Sequence, residues 1–317
     1  MVTLDQKNEE ASEVPGEVGG TDTTLLPKKS SAENSAGGAV VPKGTTLLRI
    51  RPHRRWVGLD LMEIWRYRDL LWSLAFRDLR LRYRQTALGV LWVVFQPLAG
   101  AGIFTLVFSR VAGLSAPGES YFLFSLAGLL AWNAFQSTLG KSSMALLGNA
   151  SLVSKVYFPR LLLPFSTVLS TVADLFVGVA AFLGVSLYAS RLPGLGALVW
   201  LPLWIGMALA SSLGLGLLAA SLMTRFRDVQ HVLPMLLPFL MYASPVAYGM
   251  SNIPEGWRCY LQWNPIGWVL EGARAALVGG ERVPVAWVVY TAACSLAVLA
   301  AGVVCFRRME RSFADVV

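Results

Sequence analysis

Long apolar runs, separated by short polar or charged segments, dominate the chain from residue 88 onward. A helix needs about 20 mostly apolar residues to cross the hydrocarbon core of a bilayer. The stretches that meet this length are residues 88–109, 120–140, 161–190, 197–223, 229–250 and 284–306. The pattern therefore predicts an all-α integral membrane protein with six transmembrane helices within residues 88–306.

A basic segment, residues 49–87, precedes the first apolar run and mixes arginines with large apolar side chains. Within residues 59–74 apolar side chains recur at helical spacing, with charged side chains on the other face. The apolar set is Leu61, Ile64, Trp65, Leu71 and Trp72, and the charged set is Arg66, Arg68 and Asp69. This spacing predicts an amphipathic helix in the headgroup region. A solvated helix that packs against a partner protein is the alternative.

The segment between the last two apolar runs, residues 251–283, is too apolar for a plain solvent loop and too interrupted for a span. Asn264-Pro265 predicts the end of one short helix and the start of another, because proline is tolerated in a first turn. We expect two short re-entrant helices on the extracytoplasmic side. Irregular backbone at membrane depth is tolerated only beside protein or a water-filled cavity, so the segment predicts a pore mouth.

Both ends of the chain differ in composition from the apolar runs. Residues 1–48 are rich in Gly, Ser, Thr, Glu and Pro and lack the apolar core of a signal peptide, which predicts a disordered cytoplasmic tail. Residues 307–317 follow the last apolar run as a predicted cytoplasmic C-terminus. The whole chain is 55% hydrophobic and 15% charged, whereas a soluble domain is roughly 45–50% apolar and about 25% charged.

The charges indicate an orientation. The net charge is +8, and most basic residues lie before the first run or in the segments after the second, fourth and sixth runs. Cytoplasmic segments carry an excess of Lys and Arg, so we expect these segments, and both termini, on the cytoplasmic side. Because the basic residues are explained by topology and anionic headgroups, we exclude a nucleic-acid partner and expect contact with membrane lipids.

Motifs for stand-alone catalysis are missing from the sequence. The nearest approach to a phosphate-binding loop is Gly140-Lys141-Ser142, but Phe135 stands where that loop needs its first glycine. The three cysteines and two histidines show no metal-ligand spacing. Asp174, inside the third run, is either a proton carrier or a hydrogen-bonded carboxyl facing other helices, and we favour the second interpretation.

Five stretches, in order, resemble the type-2 ABC exporter permeases, and most closely the branch that exports O-antigen, capsule and teichoic-acid polymers. The resemblance covers residues 60–313. The stretches are residues 83–86 with Leu88, Gly89, Trp92, Gln96 and Pro97; residues 153–160; residues 226–229; residues 244–248 with Ile253-Pro254; and Asn264-Pro265 with Glu271 and Arg274.

The resemblance implies a transport subunit rather than an enzyme, in a bacterial inner membrane. It implies a second copy of this chain and two copies of a separate ABC ATPase subunit, which would bind ATP and Mg while this chain binds no cofactor or metal. The substrate implied is a lipid-linked polysaccharide that passes through a channel between the two permeases.

Candidate site residues follow from this resemblance. Coupling to the ATPase is assigned to Asp69, Arg77, Asp78, Lys155, Tyr157 and Arg160, although Lys155 and Arg160 are equally explained as topology charges. Entry of a lipid pyrophosphate is assigned to Arg80, Arg82 and Arg84, because guanidinium groups suit phosphate oxygens. Sugar faces pack on aromatic rings, so the candidate channel residues are Trp92, Phe95, Tyr121, Phe124, Trp132, Phe135, Tyr242, Tyr248, Trp263 and Trp268.

Three other functions remain as alternatives. The first is an ABC exporter permease for a drug or a simple lipid. The second is a proton-coupled transporter that uses Asp174. The third is a membrane enzyme for lipid-linked sugars, which would need acidic or histidine side chains clustered at one membrane face, and the sequence shows no such cluster.

Overall fold

The computed structural model of the chain describes residues 65–84, 89, 91–114, 120–156, 158–250, 253–280 and 282–310. For residues 82–84 and 260 it describes the backbone alone. The predicted tail, the first part of the interface segment and residues 311–317 lie outside the described residues.

Within these ranges the secondary structure is helical. The helices are α1 Arg68–Arg84, α2 Leu91–Phe104, α3 Tyr121–Met144, α4 Ala150–Lys155, α5 Leu162–Tyr188, α6 Ala197–Arg225, α7 Val229–Ala243, α8 Glu255–Gln262, α9 Pro265–Leu277 and α10 Val285–Met309. A π-helix, Thr105–Val111, continues α2, and a 3-10 turn, Leu147–Asn149, precedes α4. In the described part of the chain, five helices are long and apolar enough to cross a membrane: Leu91–Val111, α3, α5, α6 and α10. The prediction of an all-α membrane protein is confirmed.

The sixth predicted span is shorter than expected. Helix α7 has 15 residues, or about 22 Å of helix, against a hydrocarbon core of roughly 30 Å. It ends at Ala243 because the following residue, Ser244, precedes Pro245 and adopts extended backbone angles, which proline favours in its neighbour. The count of six spans therefore stays a prediction.

Helices α3 and α6 form the centre of the bundle. Most of the residues in each are buried, including Trp132 and Phe135 of α3 and Leu217 of α6. By contrast, α2, α5 and α10 expose much of their surface, as expected of helices with one face towards lipid or another chain.

Small residues allow α6 to approach two neighbours closely. A Cβ at Gly214 would lie 2.6 Å from the backbone of α10 at Val298 and Leu299, and Gly302 of α10 faces Gly214 in turn. Gly216 lies against Ser142 of α3. In lipid, where the hydrophobic effect does not drive association, such close packing stabilises helix pairs.

The interface helix continues beyond its predicted end, and residues 59–64 of the predicted range lie outside the described residues. Helix α1 extends to Arg84 rather than ending near residue 74. Leu74 and Ala75 are buried against the bundle, whereas Trp72 and Phe76 stack on the exposed side with ring centroids 5.7 Å apart. The helix thus has one apolar face against the protein and a second one outside it.

The break between α8 and α9 occurs where it was predicted. Helix α8 ends at Gln262, and α9 starts at Pro265 with Asn264 as its cap. The Asn264 side chain accepts a hydrogen bond from the Ile266 amide at 3.0 Å. The depth of these two helices in a membrane stays a prediction.

Candidate functional site

A buried arginine, Arg274, connects three parts of the chain at the N-terminal end of α3. Its side chain is 3% exposed and donates to the Glu271 carboxylate at 3.2 Å. It also donates to the carbonyl oxygens of Val246 and, at 3.3 Å, Tyr248. Its charged centre lies 4.2 Å from the ring centroid of Phe124 in α3, within cation–π range. One side chain therefore joins α9, the segment after α7, and α3.

Two further features of α3 support this junction. Gly128 leaves room for the guanidinium, since a Cβ there would lie 2.6 Å from the Arg274 Nη2 atom. The Tyr121 hydroxyl donates to the Ala247 carbonyl at 2.5 Å. Burial lowers the pKa of Arg274, and the charge and hydrogen bond of Glu271 raise it. An arginine starts from so high a pKa that it keeps its charge, so the junction is a permanent cation.

The Asn264 side chain ties the helix break to the end of α7. Besides capping α9, its amide nitrogen donates to the Ser244 hydroxyl at 3.1 Å. The end of α7 and the start of α9 are therefore held at one point, next to the Arg274 junction.

An aromatic cluster covers the same end of the bundle. The rings of Trp268 and Trp287 stack with centroids 4.8 Å apart, and Trp263 lies edge-on to Trp287 at 6.2 Å and to Tyr290 at 5.7 Å. The Trp268 indole donates to the Gln262 carbonyl at 2.7 Å, and the Tyr290 hydroxyl donates to the Trp263 carbonyl at 2.9 Å. Amphipathic rings of this kind are typical of a membrane–water interface.

An apolar cavity of about 680 Å³ lies beside this cluster. It is lined by residues of the π-helix end, the segment after α7, and α8, namely Leu114, Ala243, Tyr248, Ile253, Pro254, Trp257, Leu261 and Asn264. The short helices and the segment after α7 therefore border an open apolar depression.

Asp174, the intramembrane acid, has a charged partner. The Lys141 ammonium of α3 lies 3.0 Å from the Asp174 carboxylate of α5. It also lies 3.4 Å from the Ser170 hydroxyl and 3.5 Å from the Thr171 hydroxyl. The pair borders a second cavity, of about 390 Å³, between α2, α3, α5 and α7. The interpretation of Asp174 as a hydrogen-bonded carboxyl that faces other helices agrees with this geometry.

The other end of α3 carries a second set of charged contacts. Arg77 of α1 donates to the neighbouring Asp78 at 2.8 Å and to the Asn149 side chain, just before α4, at 2.6 Å. Arg160 donates to the carbonyl of Glu310, after α10, at 2.8 Å. These contacts connect α1, the end of α10 and the segment between α3 and α5 that contains α4, which we call the α4 segment.

The structure brings together only part of the predicted coupling set. Arg77 and Asp78 pair with each other, whereas Asp69, although 3.7 Å from Arg68, has a side chain that is 95% exposed. Lys155 is exposed at the end of α4, and Tyr157 lies outside the described residues. Among the predicted entrance residues, Arg80 is exposed on α1, and nothing is described for the side chains of Arg82 and Arg84.

The ten candidate channel residues fall into three groups. Trp92, Phe95, Tyr242 and Trp263 are exposed. Phe124 and Tyr248 are partly buried, and they contact Arg274 through the ring of Phe124 and the carbonyl of Tyr248. Tyr121, Trp268, Trp132 and Phe135 are buried, the last two almost completely in the α3 core. The rings of Trp132 and Phe135 are enclosed by other residues of this chain, whereas the exposed group and Tyr248, which lines the apolar cavity, are accessible from outside.

The described side chains offer no metal site, since no group of three or more His, Cys, Asp or Glu residues comes together within them. Sequence reasoning missed the Lys141–Asp174 pair, the Arg77–Asn149 bond, and the addition of Trp287 and Tyr290 to the aromatic cluster. The place of Trp287 and Tyr290 in one cluster could have been inferred, because they are three residues apart and share one face of a helix.

Known proteins similar to this chain are named for the export or transport of polysaccharides. The O-antigen export system permease protein RfbA of Myxococcus xanthus is 31% identical over 193 residues, which cover 61% of this chain and 73% of that protein. A protein of the same name from Klebsiella pneumoniae is 26% identical, covering 67% of this chain and 81% of the relative. The polysialic acid transport protein KpsM of Escherichia coli is 27% identical, covering 76% of this chain and 93% of the relative.

The sequence profile of the ABC-2 type transporter family matches residues 69–278, from the start of α1 to the end of α9. The matched region contains the Arg274 junction, the Lys141–Asp174 pair and the α4 segment. It covers well over half of the chain, and the chain therefore belongs to the ABC-2 type transporter family.

Proposed function

We propose that this chain is the permease subunit of an ABC transporter that exports a lipid-linked polysaccharide across a bacterial inner membrane. One observation carries the proposal. Relatives named for the transport of two different polysaccharides, O-antigen and polysialic acid, match this chain over most of their own length. Five candidate spans, and a cavity that carries polar side chains at membrane depth, suit a transport subunit.

The energy for transport comes, in this proposal, from a separate ABC ATPase subunit that binds ATP and Mg. Two copies of that subunit pair with two copies of this chain. The α4 segment is the proposed contact, with Lys155 facing carboxylates of the ATPase. The Arg77–Asn149 bond supports this, because it links the segment to α1, so that a push on α4 reaches another helix.

The channel lies between the two permease copies. Its proposed lining comes from the exposed aromatic residues Trp92, Phe95 and Tyr242, with Trp263 at the mouth. Sugar C–H faces pack on such rings without strong directional bonds, which suits a chain that slides. The side chains behind this mouth support it through the Arg274 junction and the aromatic cluster. They are Tyr121, Phe124, Tyr248 and Trp268.

The substrate enters, in this proposal, from the cytoplasmic side, where both termini lie. Arg80 is exposed on α1, and together with Arg82 and Arg84 it would meet the pyrophosphate of the lipid carrier. Arginine forms paired hydrogen bonds with phosphate oxygens.

Deletion of the gene tests the proposal. We expect the surface polysaccharide to disappear while lipid-linked polymer accumulates in the inner membrane, as measured by surface labelling and by blotting of membrane extracts. The wild-type gene should restore export, and it should fail to do so with an ATPase partner that binds ATP without hydrolysing it. Normal surface polymer in the deletion strain, with loss of efflux of a drug, would favour the drug-exporter alternative.

A further inference from the structure

The cavity that borders Lys141 and Asp174 carries several polar side chains among apolar ones, along helices that are otherwise apolar. Asn133, Gln136, Ser137 and Lys141 follow one face of α3, because residues three, four, seven and eight apart share a face of a helix. Gln96 of α2 also lines this cavity. Each of these groups lies inside a candidate span, where polar side chains are costly unless they face water, protein or a ligand.

Most of these side chains keep hydrogen-bonding capacity that is not satisfied within the described part of the chain. The Gln136 carbonyl oxygen accepts a hydrogen bond from the Trp132 indole at 2.7 Å, which leaves its amide hydrogens for other partners. Within the ranges that the structure covers, Gln96, Asn133 and Ser137 have no hydrogen-bonding partner in the protein. Gln96 is exposed, and Asn133, Gln136 and Ser137 are half-buried. Their amides and hydroxyls are therefore open to a partner from outside this chain.

The charge of the cavity restricts what that partner is. Lys141 lies 3.0 Å from Asp174, so the two formal charges compensate each other. The remaining groups are neutral, and each both donates and accepts hydrogen bonds. A phosphate would meet no uncompensated cation in this lining, whereas a hydroxyl-rich neutral group would find donors and acceptors on α2 and α3.

We propose that this cavity is a binding site for the hydroxyl groups of the passing glycan, with Gln96, Asn133, Gln136 and Ser137 as its hydrogen-bonding groups. The site deepens the proposed function and rests on it. Conduction requires contacts that are weak and repeated, and neutral amide and hydroxyl contacts of this kind complement the exposed aromatic rings.

Cysteine labelling tests the site. Cys259, Cys294 and Cys305 are first replaced by alanine, and Ser137→Cys, an almost isosteric change, is introduced. The matched control is Phe176→Cys on α5, whose side chain is 72% exposed on the outside of the same bundle. Membrane vesicles with the complete transporter are treated with a charged methanethiosulfonate reagent, which reacts with thiols in contact with water. One set comes from cells that make the lipid-linked glycan, the other from cells that lack its first glycosyltransferase.

We expect S137C to react and F176C to stay unmodified. With glycan and ATP present, labelling of S137C should slow by about fivefold, as mass action gives when about four-fifths of the cavities are occupied. No labelling of S137C, or equal labelling of both variants, would overturn the site. Equal S137C labelling with and without glycan would also overturn it, and the proposed function would stand if surface glycan in the same strain still depends on this chain. Loss of that dependence would refute the proposed function itself.

Discussion

At the scale of single residues, Arg274 connects segments that are distant in the chain. Its hydrogen bonds to two carbonyl groups and to Glu271 hold the segment after α7 against α9. Substitution by glutamine removes the charge and leaves carbonyl oxygens without their donor inside the protein. We expect Arg274→Gln to reduce the free energy of unfolding by about 2–3 kcal/mol, measured as a lower thermal midpoint in detergent.

The matched control for this change is Arg282→Gln, at an exposed position between α9 and α10. Surface substitutions of this kind stay within about 0.5 kcal/mol. Equal midpoints for the two variants would contradict the bracing role of Arg274.

The Lys141–Asp174 pair makes a second prediction at this scale. Removing one partner leaves a partly buried charge without compensation, so Lys141→Met and Asp174→Asn should each cost about 1–3 kcal/mol of stability. The double variant should recover part of that loss, because no lone charge remains. A thermal-unfolding double-mutant cycle measures this coupling, and additive losses would argue against the ion pair.

The same variants separate two mechanisms of transport. If energy comes from the ATPase, the double variant K141M/D174N should retain ATP-dependent export once it is folded. A proton-coupled transporter would lose transport altogether with Asp174 replaced. The sequence did not predict the pair, because the second span was expected to end at Gly140. Helix α3 continues to Met144, which keeps Lys141 on a helical face opposite α5.

At the scale of elements, the contact between α6 and α10 depends on glycine. A Cβ at Gly214 would lie 2.6 Å from backbone atoms of α10. These atoms cannot move away without a shift of the whole helix. We expect Gly214→Ala to force the two helices apart and to lower the thermal midpoint. Gly206→Ala, in the same helix with nothing within 4 Å of a new Cβ, should be neutral or stabilising by up to about 1 kcal/mol. A midpoint that falls equally in both would refute the packing argument.

Coupling through α4 is the prediction that concerns the partner. Lys155→Glu reverses an exposed charge at the end of α4, and we expect it to weaken binding to the ATPase at least about fivefold. Quantitative co-purification from membranes measures the effect. Arg110→Glu, on the π-helix that continues α2, is the control and should leave the complex intact. Equal recovery of ATPase with both variants would remove Lys155 from the interface.

Elements differ in how far the sequence determines them. Length and apolarity were sufficient for α3, α5, α6 and α10, and the break at Asn264-Pro265 followed from capping chemistry. Helix α7 was predicted to extend to residue 250 because hydropathy takes no account of the restriction that Pro245 places on Ser244. The contacts of Arg274 could not be predicted from the hydrophobic pattern, because its carbonyl partners lie 26 and 28 residues away in the chain.

At the scale of the whole molecule, α7 decides the topology. Five crossings place the termini on opposite sides of the membrane, whereas six place both on the same side, which the positive-inside rule predicts to be the cytoplasm. We expect epitope tags at the two termini to be inaccessible to antibodies in spheroplasts and to become accessible after permeabilisation. A tag in the segment after α8 and α9, at Gly279-Gly280, should be accessible without permeabilisation. Termini that respond differently from each other would show that α7 does not cross.

The stacked indoles of Trp268 and Trp287 have a spectroscopic consequence. Two parallel rings with centroids 4.8 Å apart couple their electronic transitions and should give a paired positive and negative band in circular dichroism. Trp268 belongs to α9 and Trp287 to α10, so any motion that separates these helices abolishes the signal. This band pair would therefore report, without an attached dye, whether α9 and α10 remain in contact.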